Sequence, residues 1–417
     1  MNMKPKGRKI RPNLLVLGAS GGVANAFLHH LNNYRRLFNK VFLLDKNNKV
    51  LRDSFIDHKI LDYKFIHKKI MLPQRKGEYL SMLKRFKIDI VLDITDMDSL
   101  EIIDATNKAG VSYINTAMND EKKTVSELIF DIYPRKKDIR KAPHILCTGM
   151  NPGIVNMWVR YGIEKFGLPK QLIHFEFDTS KIAKKWHPMM TWSIHEFIAE
   201  SVRDPSGIAL GRGIVKQVFP NALENRENMK GILKPIMKLE KYPHGLTVLH
   251  EENLSISYKY DIPSKFIYAI NPTTMSNLIG VYEKKGIVTE KDLELGDNTR
   301  EILDGSDSIG VILDYPEKKV YYFNTIPNVA VIGTNATYTQ VVIGIFAALF
   351  TLLFNKLNPG VYFVEDLYDT YFMHFMFDNM RVQEFVFKKE KGHLKFLSYN
   401  PKVNPRRNRR LEHLYII

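Results

Sequence analysis

A tryptophan beside a group of acids is the most informative local feature of this chain. Trp192 is one of three Trp residues, and it lies close to Glu196 and Glu200 in a chain whose formal net charge is +16. An aromatic ring face together with carboxylates can hold an organic cation. On a helix, Glu196 would share a face with both Trp192 and Glu200. A core Trp beside a solvated helix face would give the same pattern, so this segment alone leaves both interpretations open.

Further acids and one histidine have spacings that would place them on a common face. Glu176 and Asp178 alternate with aromatic residues, which in a strand puts both acids on one side. If residues 247–259 also form a strand, His250 and Glu252 point the same way. Each of these residues also has an ordinary structural explanation.

Asp304 and Asp307 stand just before an apolar run at residues 309–313, which we interpret as another strand. The chain shows no further His or Cys at a recognisable metal-ligand spacing, so we predict no metal site. Acids, a histidine and a Trp together predict a pocket for a cationic amine.

A glycine-rich turn near the N-terminus indicates a dinucleotide site. The apolar run 13–17 reads as a buried strand, and a helix-like segment starts at Val23. Small residues at this turn let the backbone approach a pyrophosphate at the helix N-terminus. An acid ending the second strand would suit the adenosine ribose, which favours NAD over NADP. The residues expected to bind the cofactor are Gly18, Ser20, Gly21, Gly22, Val23 and Asp45.

The elements that must position these residues indicate an α/β protein. Strands alternate with helices in the first part, which predicts a Rossmann-type doubly wound parallel sheet, and closely spaced strands follow in an α+β substrate domain. Residues 202–245 are rich in Gly and Pro and read as a loop that could form a lid. The expected parts are an NAD-binding domain at 10–150, a catalytic domain at 151–335, a helical return segment at 336–380 and a basic C-terminal extension at 381–417.

Composition narrows the class of protein. Cys147 is the one cysteine, so the chain has no internal disulfide, and its apolar neighbours predict a buried thiol. The apolar run 341–354 is too short to span a bilayer, and no signal peptide is recognisable. We therefore expect a cytoplasmic protein without membrane contact. The basic residues are dispersed, so nucleic acid is not an expected partner, and the basic tail reads as an exposed arm.

Several separate motifs resemble those of the bacterial homospermidine synthases in the saccharopine dehydrogenase-like superfamily. They occur in the family's order across roughly residues 10 to 370, and the segments around Trp192 and His250 are the most specific. The motifs lie at residues 148–153, 178–179, 191–200, 248–256, 304–311 and 335–340.

This resemblance implies an NAD-dependent enzyme that condenses two putrescine molecules into homospermidine and releases ammonia, with NAD used catalytically. It also implies that Trp192 offers its ring to cationic imine intermediates, and it suggests a homodimer. The family places an acid where this chain has Asn119, which puts the diamine preference in question. The residues that the resemblance places around the diamine are Asn119, Asn151, Glu176, Glu200, His250, Glu252 and an aspartate of the Asp304/Asp307 pair.

The chemistry adds one requirement to this picture. A primary ammonium must lose a proton before its α-carbon can give up hydride, so a base must stand beside it, and His250 and Glu252 are the candidates. The alternative is a saccharopine dehydrogenase-like or carboxy-polyamine oxidoreductase that consumes NAD(P)H. Its substrate would carry a carboxylate, for which Arg203 and Arg212 are the nearest candidates in the sequence.

Overall fold

Short apolar strands alternate with helices in the first part of the chain and form a seven-stranded parallel sheet. The computed structural model describes residues 11–184, 186–296 and 302–405. The strands of this first sheet are β1 (Leu14–Leu17), β2 (Val41–Asp45), β3 (Tyr63–His67), β4 (Ile90–Asp93), β5 (Ser112–Asn115) and β6 (Pro143–Leu146), with β19 (Gly360–Phe363) added from the C-terminal part. The helices between them are α1 (Gly22–Tyr34), α2 (His58–Leu61), α3 (Lys76–Arg85), α4 (Ser99–Ala109) and α5 (Val125–Arg135).

The strand order β19-β6-β5-β4-β1-β2-β3 reverses direction between β1 and β4. Ligands of doubly wound sheets bind outside the carboxyl ends of the strands at such a reversal. The residues after β1 and β4 therefore border the expected cofactor crevice.

The second sheet is mixed and has ten strands. Its central strands run β14-β7-β17-β18, with β14 and β7 parallel and the other neighbours antiparallel. Its strands are β7 (Gln171–Asp178), β10 (Ser206–Gly211), β11 (Ile214–Phe219), β12 (Arg226–Asn228), β13 (His244–Val248), β14 (Ser264–Ala269), β17 (Ser306–Asp314), β18 (Lys318–Pro327), β20 (Gln383–Glu390) and β21 (His393–Asn400).

Helices and two small strand pairs complete this half. The short strands β8 (Lys181–Ile182) and β16 (Leu303–Asp304) pair with each other, as do β9 (Met189–Met190) and β15 (Glu294–Leu295). A π-helix (Ala199–Arg203) continues α7 directly. The α-helices are α6 (Ile154–Phe166), α7 (Ile194–Ile198), α8 (Lys230–Leu233), α9 (Glu251–Tyr260), α10 (Pro272–Lys285), α11 (Ala336–Phe354) and α12 (Tyr371–Asn379).

The strand predicted at residues 247–259 is wrong beyond Val248. The chain leaves β13 there, and α9 begins at Glu251. Residues 251–257 are buried on every side, so the alternation that marks a half-buried strand does not apply to them. The Asn253 side chain accepts the backbone N–H of His250 (2.9 Å) and thereby fixes the start of the helix.

Two further predictions of irregular structure are wrong. Residues 202–245 contain the β10–β11 hairpin, β12 and α8 rather than a long loop, because glycines there serve tight turns and close strand contacts. Residues 383–400 form β20 and β21 of the second sheet rather than an exposed arm. The part of the basic extension at 406–417 lies outside the described residues.

The helix α11 joins the two halves. It packs against α1 and against strands of both sheets, and the rings of Phe27 and Phe346 lie 4.9 Å apart. This helix is long and apolar enough to cross a membrane, but 67% of its most apolar stretch is buried inside the fold. That burial identifies it as a core helix. Cys147 is buried as predicted.

Candidate functional site

The glycine-rich turn after β1 has the geometry that a dinucleotide needs. Gly18 has φ +76°, and a Cβ there would lie 2.4 Å from the carbonyl oxygen of Ile94, which follows β4. Only glycine fits such a position. The helix α1 starts at Gly22, and the first N–H groups of a helix have no partner within it. These N–H groups and the positive end of the helix dipole suit a pyrophosphate.

Asp45 holds this turn in place. One carboxylate oxygen accepts the backbone N–H of Ser20 and the other accepts that of Asn47, both at 2.9 Å. The Ser20 hydroxyl in turn accepts the N–H of Val50 (3.2 Å). Each carboxylate oxygen of Asp45 has a second lone pair that could accept a ribose hydroxyl. The residues present thus fit a nicotinamide dinucleotide.

A group of buried acids lies on one face of the second sheet. Asp307 on β17 stands opposite Asp178 on β7, and Glu176 lies two residues earlier on the same face. The exposed fraction of each side chain is at most 4%. Among the residues that the structure describes, neither Lys nor Arg forms an ion pair with any of the three. Buried carboxylates without a partner are unfavourable, so this group calls for a cation or for protons.

The hydrogen bonds of the group leave several acceptors unused. Asn151 donates its amide N–H to Glu176 Oε2, while Asp307 Oδ2 accepts the Thr337 hydroxyl (2.8 Å) and the Gln340 amide (3.1 Å). The other side-chain oxygens of Asn151, Glu176 and Asp307 are buried and accept no hydrogen bond from another donor among the described residues, although the carboxyl groups of Glu176 and Asp307 lie close enough to share a proton. A primary ammonium carries three donors, which these acceptors could satisfy.

Burial and mutual repulsion favour protonation of these acids. Burial raises the pKa of Glu176 well above its ordinary value, and the charge of Asp307 adds to the effect. Burial likewise raises the pKa of Asp307, with a further contribution from Asp178. A bound cation would reverse both effects.

His250 is surrounded by three glutamates at the start of α9. Its Nε2 lies 3.2 Å from Glu200 on the π-helix, and its Nδ1 contacts Glu251 (3.2 Å) and Glu252. Burial by itself would lower the pKa of His250, but the charges of the surrounding carboxylates outweigh it and raise that pKa well above its ordinary value. A histidine and carboxylates at hydrogen-bonding distance can take up and return a proton.

Trp192 packs against β14 of the second sheet and against α7. Its indole N–H donates to the hydroxyl of Tyr268 (2.9 Å). Tyr268 lies on β14, and its partner in the neighbouring strand β7 is Glu176. Its half-buried ring meets Phe197 and Tyr268 edge to face, at centroid distances of 6.2 and 6.1 Å. The Trp ring is therefore held by Tyr268, the sheet neighbour of Glu176, and a rigid ring is what a cation-binding role requires.

Two residues predicted to line the diamine site, Asp304 and Asn119, lie outside the acid group. Asp304 is exposed, pairs with Lys181 (3.5 Å) and accepts the N–H of Gly305, so Asp307 is the member of the pair that lies in the acid group. Asn119 donates its amide to the carbonyl of Thr95 (2.8 Å) and anchors the loop after β5 to the loop after β4. It offers no charge to a diamine.

Sequence reasoning missed Tyr268 and Glu251 as members of the site, and it named Glu196 without assigning it a role. Tyr268 carries no local signal, because only the pairing of β14 with β7 brings it to Glu176. Burial raises the pKa of Glu251 to about 7. Burial, followed by the charge of Glu200, also raises the pKa of Glu196 to about 7. The adjacent His250 was the only sequence signal for Glu251, whereas the helical spacing from Trp192 and Glu200 had pointed to Glu196.

His250, Glu251 and Glu252 also offer ligand atoms within 4.8 Å of one another, a spacing that a metal ion could use. Glu251 already accepts the backbone N–H of Met118 (2.8 Å), and Glu252 contacts the imidazole. These contacts favour an acid–base group, and the absence of a metal site stays a prediction.

Comparisons with known proteins match this architecture. Residues 14–142 match the family model described as the saccharopine dehydrogenase NADP binding domain. The homospermidine synthase from Legionella pneumophila, solved in complex with NAD, superimposes with a TM-score of 0.68 over 89% of this chain and 89% of that one, at 19% sequence identity. At this identity the likeness shows the fold, and it confirms the predicted fold class and the resemblance at that level.

Two other similarities are weaker. The amine dehydrogenase from Mycobacterium smegmatis covers 86% of this chain and 96% of its own, with 10% identity and a TM-score of 0.41, which carries no argument. Protein TIC 214 of Solanum lycopersicum is 27% identical over 155 residues, which make up 36% of this chain. The match spans only 8% of that protein's length and gives no argument for function.

Proposed function

We propose that this chain is an NAD-dependent homospermidine synthase, which condenses two putrescine molecules and releases ammonia. The observation that carries the proposal is the buried group of Glu176, Asp178 and Asp307, to which no Lys or Arg of the described residues forms an ion pair, in a chain of net charge +16. Buried acids of this kind suit the ammonium groups of a diamine. The fold shared with the Legionella enzyme adds support.

The acid group would hold one end of the diamine. An ammonium between Asn151, Glu176 and Asp307 would meet the unused acceptor oxygens of all three side chains. That contact keeps this nitrogen charged and directs the other end of the diamine along the sheet face toward Trp192 and His250.

His250 with Glu252 would act as the base on the reacting nitrogen, which must become a free amine before oxidation. NAD held at the Gly18 turn and Asp45 would supply the hydride acceptor for the adjacent carbon and the hydride donor for the later reduction, without net consumption. The Trp192 ring face would stabilise the resulting substrate iminium by about 1 to 2 kcal/mol in a desolvated site. Glu200 adds a negative charge on the opposite side of His250.

The second amine then attacks the iminium carbon, and the first nitrogen leaves as ammonia. The base group takes the proton from the attacking ammonium and can return it to the leaving nitrogen. The surrounding rings of Trp192, Phe197 and Tyr268 keep water from the iminium, which would otherwise hydrolyse.

Mass spectrometry of the products tests the proposal. Purified protein with NAD and labelled putrescine should yield labelled homospermidine and ammonia without accumulation of NADH. No homospermidine at saturating putrescine would contradict the proposal.

The alternative, an oxidoreductase for a carboxylated amine, gains no support from the arginines. The Arg212 side chain is 79% exposed and pairs with Asp261, and Arg203 contacts the carbonyl of His195 at the surface. Stoichiometric oxidation of NAD(P)H with a carboxylated substrate would favour that alternative. A homodimer and a cytoplasmic location stay predictions, and light scattering of the purified chain tests the first.

A further inference from the structure

Asp178 is the member of the buried acid group that has no role in the proposed mechanism. It stands opposite Asp307 in the pairing of β7 with β17, and neither side chain is more than 4% exposed. Its Oδ1 accepts the backbone N–H of Ser180 (2.8 Å), and its Oδ2 accepts the hydroxyl of Thr191 (2.6 Å). Because both oxygens already have donors, Asp178 is a poor ligand for an ammonium group, and its burial needs another explanation.

Two buried hydroxyl groups connect Asp178 to Asp307. The Thr191 hydroxyl lies 2.9 Å from that of Thr337, which in turn lies 2.8 Å from Asp307 Oδ2. Asn335, which caps the start of α11, donates its amide to the Thr191 carbonyl (2.6 Å) and so holds the two hydroxyls together. Three consecutive contacts of hydrogen-bond length therefore join the two carboxyl groups.

These three contacts need three protons, and the two hydroxyls supply only two. A hydroxyl has one proton to donate, so Thr337 cannot donate to Thr191 and to Asp307 at the same time. Complete pairing of these buried oxygens therefore requires a proton on the carboxyl group at one end of the chain. With that proton on Asp307, both hydroxyls donate toward Asp178, and with it on Asp178 both donate toward Asp307. Burial raises the pKa of both aspartates, which favours a retained proton.

We propose that the two aspartates share this proton through the two threonines, and that an ammonium bound at Asp307 shifts it to Asp178. Asp307 gives its proton to Thr337, each threonine passes its own proton one contact further, and Asp178 receives the last one. Asp307 becomes charged beside the cation, Asp178 becomes neutral, and the number of protons on the chain of contacts stays the same. The inference rests on the proposed function, because the ammonium is that of the diamine.

The shift supplies a charge for the substrate without loss of a proton to solvent. A nearby cation favours the ionised form of Asp307, and a neutral Asp178 avoids a second negative charge across the strand pair. Among the described residues, the other titratable groups that face the pair are Glu176 on β7 and Tyr268 on β14. Protons that leave Glu176 when the diamine binds are additional to the shared one.

Titration calorimetry in buffers of different ionisation enthalpy tests the inference, because it counts the protons released per putrescine bound to the full chain. Thr337→Val interrupts the contacts, so Asp178 keeps the Thr191 donor and its charge, while Asp307 must release its own proton to solvent. We expect the valine variant to release about one proton more per putrescine than the parent. The putrescine affinity of this variant should also depend more steeply on pH than that of the parent.

Two control variants separate the hydroxyl from the packing of α11. Thr337→Ser restores a hydroxyl and should release as many protons as the parent. Thr351→Val removes another buried hydroxyl of the same helix, one that donates to the carbonyl of Ala347, and it should also match the parent.

A second readout needs neither putrescine nor a variant. In NMR of the parent with isotopically labelled aspartate, the carboxyl signals of Asp178 and Asp307 should titrate together, because they share one proton. In Thr337→Val each signal should titrate separately. A parent that binds no putrescine contradicts the proposed function, while this titration still decides whether the proton is shared. Separate titration in the parent, or equal proton release from the parent and Thr337→Val, would overturn the inference.

Discussion

At the residue scale, the proposed function depends on two buried carboxyl groups. Glu176 and Asp307 are buried in a protein with 61 basic and 45 acidic residues, yet no ion pair to Lys or Arg reaches them within the described ranges. A protein cation there would repel an amine substrate. The lack of an ion pair to Lys or Arg among the described residues therefore agrees with the proposed binding of a cationic substrate.

Two aspartates three residues apart give a matched test of this view. Asp307→Asn removes a buried charge, and we expect putrescine KM to rise at least about tenfold, because a charge-assisted hydrogen bond contributes roughly 1.5 to 3 kcal/mol. Asp304→Asn changes an exposed side chain and should leave kinetics as in the parent. Initial rates over a series of putrescine concentrations measure KM for each variant. Equal KM values for the two variants would contradict the assignment of Asp307 to the diamine site.

Trp192 offers a second test at the residue scale. Trp192→Leu removes the ring face, and we expect kcat to fall about ten- to thirtyfold while NAD affinity stays unchanged, because the proposed mechanism places the ring against the iminium. Trp192→Phe keeps a ring but loses the hydrogen bond to Tyr268, so its kcat should lie between that of the parent and that of the leucine variant. Stopped-assay rates and NAD titration by fluorescence provide the comparison, and unchanged turnover of the leucine variant would contradict the cation role.

At the scale of elements, the helix α11 couples the cofactor turn to the substrate half. A Cβ on Gly22 would lie 2.3 Å from the Tyr338 ring, which belongs to the first turn of α11. The same helix supplies Thr337 and Gln340 to Asp307. One helix start thus sets the position of both the pyrophosphate turn and the acid group.

Alanine at Gly22 should disturb both functions. We expect Gly22→Ala to lower the free energy of unfolding by about 1 to 3 kcal/mol through overpacking and to weaken NAD binding. Gly77→Ala in α3 is the control: a Cβ there meets nothing within 4 Å, and the change should stabilise by about 0.5 to 1 kcal/mol. Denaturant unfolding and NAD titration measure both, and a Gly22→Ala protein with parent stability and affinity would contradict the close approach.

At the scale of the whole molecule, the clustered acids make stability depend on pH. Burial raises the pKa of Glu251 from 4.5 to about 7, so the folded state keeps a proton that the unfolded state has lost in that window. Stability therefore falls as pH rises between these values. His250 has the same sign, because its raised pKa gives stability that is lost as pH rises through it.

A bound diamine should replace these protons. We expect the rise in Tm caused by putrescine to be larger at about pH 8 than at about pH 5.5, since at low pH protons already neutralise the acids. Differential scanning fluorimetry with and without putrescine measures the rise in Tm at each pH. The Asp307→Asn variant should show a smaller rise in Tm than the parent. An equal Tm rise at both pH values would contradict proton–diamine exchange.

The sequence by itself determined the parts whose signals are local. The strand, turn and helix at Gly18 to Val23 and the alternation of Glu176 and Asp178 depend on neighbours a few residues apart, so the Rossmann-type fold and one face of the site were predictable. The motif resemblance named most of the remaining site residues.

Only the tertiary structure decided how these residues meet. Register between β7 and β17 selected Asp307 over Asp304, and the pairing of β14 with β7 brought Tyr268 to the site. The turn of the chain into α9 placed His250 at a helix start rather than on a strand. Pairing and burial depend on residues distant in sequence, and because burial sets both the pKa values and the unused acceptors, the chemistry of the site follows from the fold as a whole.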